Sequence, residues 1–122
     1  MSASAIGAQQ LVQVLRQMPM DELRHTMPEL EQLWLNGNQI GDDGAKALAA
    51  AFAEGAMPKL EKLYLEYNQI GDDGAVALAE AVGKGALPEL KELYLERNKL
   101  SQTAYDAWEA VEAKRRGLSV YT

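Results

Sequence analysis

The chain has 122 residues, 48 % hydrophobic and 25 % charged, a balance that suits one folded domain with its own core and excludes a disordered segment. Its formal charge of −6 and pI near 4.8 argue against a nucleic-acid or anionic-membrane surface, since the one basic cluster is Lys114, Arg115 and Arg116. With no cysteine there is no disulfide framework, thiolate zinc site or thiol nucleophile, and no run is apolar for long enough to span a bilayer, so cytoplasm is the default compartment.

Residues 1–26 read as a helical N-terminal cap. The opening MSASAIGAQQLVQVLRQ lacks the basic start and continuous apolar stretch of a targeting segment. Its periodicity predicts a helix from Ala5 to Gln17 with Ile6, Leu11, Val14, Leu15 and Met18 turned inward, over the open side of the first strand. Pro19 then opens an acidic-first turn, MDELRHT, closed by Pro28. His25, the single histidine, falls in that turn without a nucleophile partner and is expected at the surface. Ser2, Ser4, Ser101 and Ser119 stand at termini, turns or strand edges, where hydroxyls cap backbone.

Three units follow, 27–56, 57–86 and 87–116, and the first two are identical at about 20 of 30 positions. Each begins L-x-x-L-x-L-x-x-N-x-(I/L): Leu30, Leu33, Leu35, Asn38, Ile40; Leu60, Leu63, Leu65, Asn68, Ile70; Leu90, Leu93, Leu95, Asn98, Leu100. Leucines two apart share one face of a short parallel strand, and Trp34, Tyr64 or Tyr94 between them faces the other way. A buried Asn at the following turn can bond neighbouring backbone with both its amide and its carbonyl, so stacked units predict an asparagine ladder.

After the Asn, Gly41 permits a positive φ, Asp42 or Asp43 suits a helix N-cap, and AKALAAAF is a strong helix former. Leu48, Ala51 and Phe52, like Leu78, Ala81 and Val82, share the inward face; Gly55 and Gly85 stop the helices, with Pro58 and Pro88 beyond. The repeated GDDG also invites a metal reading, but a calcium or magnesium site needs six or more converging oxygens, and the third unit writes SQTA instead, with Ser101 or Thr103 able to cap. Capping is therefore preferred. Glu54, Glu80, Glu109 and Glu112 are expected on solvated helix faces. The helix YDAWEAVEAKRR buries Trp108 and Val111 and ends in the cations its dipole favours. After Gly117, residues 117–122 read as a C-terminal edge strand, with Leu118 and Val120 in the places of Leu93 and Leu95 and Ser119 in the aromatic slot.

These motifs resemble the leucine-rich repeat family, and the helical half IGDDGAKALAAAF is similar to its ribonuclease-inhibitor-like subclass, over about residues 27–116. The resemblance implies an α/β fold, a right-handed solenoid with a parallel sheet on the concave face and α-helices on the convex face. It also implies a non-enzymatic role, binding a protein or peptide through the concave side.

The solvent-facing strand positions are then the candidate contact residues: Gln32, Trp34, Asn36 and Gly37; Lys62, Tyr64, Glu66 and Tyr67; Glu92, Tyr94, Glu96 and Arg97. Exposed Trp, Tyr and Arg most often carry interface energy, although cross-strand pairing alone also explains the aromatic stripe. An acidic, aromatic face suits a basic partner. Four strands span under about 20 Å, which suits a peptide, a weak ligand or a homo-oligomer better than a broad interface. A designed or truncated scaffold that contacts only its own copies is the alternative reading. No H-E-x-x-H, P-loop or dinucleotide glycine motif occurs, so no catalytic residue, metal or cofactor is assigned, and neither nucleic acid nor membrane is expected as a partner.

Overall fold

A computed structural model of the chain describes residues 5–122, and the candidate hydroxyls of Ser2 and Ser4, like the side chain of Ile6, lie outside what it describes. The elements are α1 (Ala5–Gln17), α2 (Met20–Leu23), β1 (Gln32–Trp34), α3 (Gly41–Ala53), β2 (Lys62–Tyr64), α4 (Asp72–Gly83), β3 (Glu92–Tyr94), α5 (Gln102–Lys114) and β4 (Ser119–Tyr121). The four strands form one parallel sheet in sequence order, β1-β2-β3-β4, each joined to the next through a helix. Period-2 leucines explain the strands: Leu33, Leu63 and Leu93 pair in register, and all three are buried with Leu35, Leu65 and Leu95 behind them. Helix residues Leu48, Leu78 and Trp108, one period apart, close the core from the other side with Phe52 and Val82.

Asparagines stitch the units together. Asn68 Oδ1 accepts the backbone N–H of Asn38 at 2.8 Å and of Ile40 at 3.4 Å, while its Nδ2 donates to Leu35 O at 2.9 Å. Asn98 repeats this one unit on, accepting from Asn68 N and Ile70 N and donating to Leu65 O. Each amide therefore satisfies backbone of the unit before it, which is why the ladder needs Asn rather than Asp or Ser.

GDDG works across units as well, and not as a local cap. Ile40 and Gly71 occupy the N-cap positions of α3 and α4, and neither helix has a side-chain cap of its own. Instead Asp42 Oδ1 accepts Gly71 N at 2.7 Å and Gly74 N at 2.9 Å, so the first unit's carboxylate caps the second unit's helix. Asp72 does the same for the third, accepting Ser101 N at 2.8 Å and the Ser101 hydroxyl. The glycines follow from this: Gly41 takes a φ of +68°, whereas Gly71 does not, and a Cβ on Gly74 would stand 2.8 Å from Asp42 Oδ1. In the third unit Gln102 stands at the position of Asp42 and Asp72, and its amide donates to Asp106 Oδ1 within α5 at 2.7 Å.

Other expectations change too. In α1, Val12 is buried and Val14 is 53 % exposed, and the helix packs on α3 rather than over β1, because the side that carries Val12 and Leu15 meets α3, with Val12 beside Gly44. Arg115 does not serve its own helix end: its guanidinium donates to Val82 O, Ala86 O and Leu87 O at 3.2, 2.8 and 2.6 Å, closing the C-terminus of α4. Glu112 is not on a solvated face; it stands one period after Phe52 and Val82 and accepts the outward N–H of Val120 at 3.2 Å. His25 is exposed, as expected.

Candidate functional site

The sheet's other face, opposite the leucines, is built in rows because every strand repeats the same alternation. In the first row Gln32, Lys62, Glu92 and Ser119 stand in register. Lys62 Nζ lies 3.2 Å from Glu92, and that carboxylate also accepts the Tyr94 hydroxyl at 2.9 Å. The Tyr94 bond, then Lys62, holds the Glu92 carboxyl below its usual value; Glu92 in turn raises Lys62 and pushes the Tyr94 phenol up to about 12. Gln32 Oε1 accepts Trp34 Nε1 at 3.1 Å. These bonds fix two rings of the second row, Trp34 and Tyr94, from their own strands.

That second row holds Trp34, Tyr64, Tyr94 and Tyr121. Trp34 meets Tyr64 edge to face with centroids 5.6 Å apart; Tyr64 and Tyr94 stack at 4.6 Å, and Tyr94 and Tyr121 at 4.8 Å. Tyr121 corrects the expectation at the last strand. Ser119 pairs with Glu92 and Val120 with Leu93, so Tyr121, not Ser119, fills the aromatic slot and the row crosses all four strands. Reading S-V-Y against E-L-Y, instead of counting from Gly117, carries that register. The ends stay open, with Trp34 45 % and Tyr121 43 % exposed.

Below the rings lies the turn row, Asn36-Gly37, Glu66-Tyr67 and Glu96-Arg97. Backbone bonds Gly37 N to Glu66 O at 2.9 Å and Tyr67 N to Glu96 O at 3.2 Å hold these turns side by side. All three second positions have left-handed backbone, φ +74° at Gly37, +58° at Tyr67 and +62° at Arg97. Glycine adopts this freely, whereas a side chain adds about 1 kcal/mol or more of strain. Glu66 and Glu96 each shut one oxygen, Oε1, away from solvent with no donor from the described chain. Sequence reasoning placed all of these residues on one face, but neither the strain nor the orphaned oxygens leave a mark in the residue pattern.

Outside this face the surface offers little chemistry. A furrow of about 240 Å³ between α4 and α5 is lined by Ala79, Gly83, Ala107 and Ala110 with lysines at its rim. Among the described residues no three His, Cys, Asp or Glu side chains converge, and no helix is long and apolar enough to cross a membrane.

Residues 27–49 and 56–79 match the family model described as Leucine Rich repeat, covering β1 and β2 and most of α3 and α4. With the four-stranded parallel sheet and one helix per unit, the α/β fold is that of a leucine-rich repeat solenoid. No curated protein matches the chain.

Proposed function

We propose that this leucine-rich repeat chain is a non-enzymatic interaction module that binds a protein or peptide across the aromatic face of its sheet, taken as the concave side of a right-handed, ribonuclease-inhibitor-like solenoid. Leucine-rich repeats commonly serve as interaction modules, and the helix of 12 or 13 residues in every unit supports that subclass. On this reading residues 1–122 form one domain, with 1–26 as cap, 27–56, 57–86 and 87–116 as repeats, and 117–122 as edge strand.

The row of four touching rings carries the proposal. Stacking accounts for Tyr64 and Tyr94, but it leaves Trp34, Tyr121 and the 62 %-exposed Tyr67 offering apolar surface to water, which is the signature of an interface anchor. Three gaps of about 4.8 Å give the row a width near 15 Å, the scale of an extended peptide. Self-association through the last strand is the weaker alternative, because the Glu112 carboxylate already occupies the outward N–H of Val120.

A photo-cross-linking residue placed at Asn36, with a control at Glu109 on the exposed side of α5, tests the face. Adducts that form from position 36, and vanish in a Trp34→Ala/Tyr121→Ala background whose melting curve is unchanged, support it. Equal yields from both positions would reject it.

A further inference from the structure

We propose that the open edge of β1 takes up an extended peptide as a further parallel strand, and that the peptide it fits carries a lysine or arginine followed, two residues later, by leucine, an aromatic residue and leucine. The bonds of the sheet show what this edge offers. In β2 the outward-facing residues reach back to the strand before: Lys62 N donates to Glu31 O at 3.1 Å, and Tyr64 O accepts Leu35 N at 2.9 Å. In β3, Glu92 N and Tyr94 O do the same with Glu61 O and Leu65 N, at 3.1 and 2.8 Å. Trp34 stands in register with Tyr64, so its N–H and C=O point the same way, to the side where the sheet has no earlier strand among the described residues. Helix α1 rests on α3 and supplies no strand there. The other end of the sheet differs, since Glu112 already holds the outward N–H of Val120.

Side chains at this end are as incomplete as the backbone. Met57 and Leu60 are wholly buried between the units on either side of them, whereas Met27 and Leu30, one period earlier, are only partly buried, as is Leu11 of α1. An added strand in register lays two leucines on that apolar side, as β2 does with Leu63 and Leu65, and sets its aromatic ring beside the 45 %-exposed Trp34, lengthening the ring row. Charge selects the residue ahead of the leucines. Glu31 is exposed, and its neighbour in the next unit is Glu61, an acid like itself, which Lys91 engages at 3.3 Å from the unit beyond. A peptide cation opposite Glu31 repeats the pairing that Lys91 makes with Glu61, and a peptide acid there meets only like charge.

Fluorescence anisotropy with two labelled synthetic peptides copied from the chain tests this: LKELYLE, residues 90–96, and LEKLYLE, residues 60–66, which sets a glutamate opposite Glu31. LKELYLE is expected to bind with a Kd on the order of 100 µM, about two- to five-fold tighter than LEKLYLE at low salt. N-methylation of its last leucine amide, the donor that meets Trp34 O, is expected to weaken binding about ten-fold or more, while N-methylation of the tyrosine amide, which faces away from β1, leaves it unchanged. Loss on methylating the tyrosine instead overturns the inference, because that amide is the one an added strand turns toward β4. Binding indifferent to both methylations overturns it in favour of the ring face, and equal affinity of the two peptides overturns the charge preference. No binding by a chain that light scattering shows to be dimeric assigns the edge to a second copy; no binding by a monomer leaves the edge without a ligand, and both results overturn the inference while leaving the ring face to its own test.

Discussion

Replacing Asp42 by alanine isolates the link between successive units. The carboxylate holds Gly71 N and Gly74 N, the first donors of α4, at 2.7 and 2.9 Å, and Gly74 is buried. Loss of an N-cap acceptor removes about 0.5–2 kcal/mol, and the second orphaned N–H adds about 1 kcal/mol. The sum is about 1.5–3 kcal/mol, or about 6–12 °C in melting temperature at roughly 4 °C per kcal/mol for a domain of this size. Asp42→Asn keeps an acceptor and loses less. Asp43 is the internal control: it shares the first turn of α3 but is exposed and bonds none of the described residues, so Asp43→Ala removes only its interaction with the helix dipole, about 0.5 kcal/mol. Urea unfolding followed by circular dichroism ranks the three variants. A loss at Asp43 equal to that at Asp42 would falsify capping from the neighbouring unit and return GDDG to a local role.

Asn68→Ala strips buried acceptors and donors from two units at once, and a loss of about 3–5 kcal/mol is expected in the same assay; a loss below 1 kcal/mol contradicts the ladder. Bonds from Ser101 hold the Asp72 carboxyl below its usual range. A depressed carboxylate stabilises the fold above its unfolded pKa, near 4, and the gain disappears as pH falls through the folded value, so Ser101→Ala flattens the acid limb of the urea midpoint against pH. An unchanged acid limb refutes the assignment. Tyr67→Gly relieves left-handed strain and raises stability by about 0.5–1 kcal/mol while weakening peptide binding; destabilisation contradicts the strain. Glu112→Ala bares the Val120 N–H, and mass rising with concentration in light scattering is expected; a monomer at every concentration shows that the edge needs no such cover.

Features set by short-range geometry were legible in the chain. Leucines two apart, the Asn after them and the glycines that stop the helices each act within a few residues, so strand faces, the ladder, the span of α1 and the positive φ of Gly55 and Gly85 follow from spacing. Features set between units were not. A cap is read from sequence as a contact to the next turn of its own helix, yet Asp42 meets donors 29 and 32 positions on. Arg115 likewise closes a helix it does not belong to. The last strand arrives three residues sooner than the period, whereas matching Leu118 and Val120 to Leu93 and Leu95 makes it five sooner and puts Ser119 where Tyr121 stands. Position 14 faced the wrong way because α1 rests on a helix, and the sequence pattern alone does not say which neighbour a cap will choose.

Since Asp42 serves the helix after it and Asn68 the turn before it, as Asp72 and Asn98 do thirty residues on, both junctions present an aspartate and an asparagine to the backbone of a neighbouring unit. A duplicated block of that length inserted between Ile40 and Ile70 would find matching partners on both sides, so the molecule can lengthen by unequal recombination without inventing a new contact.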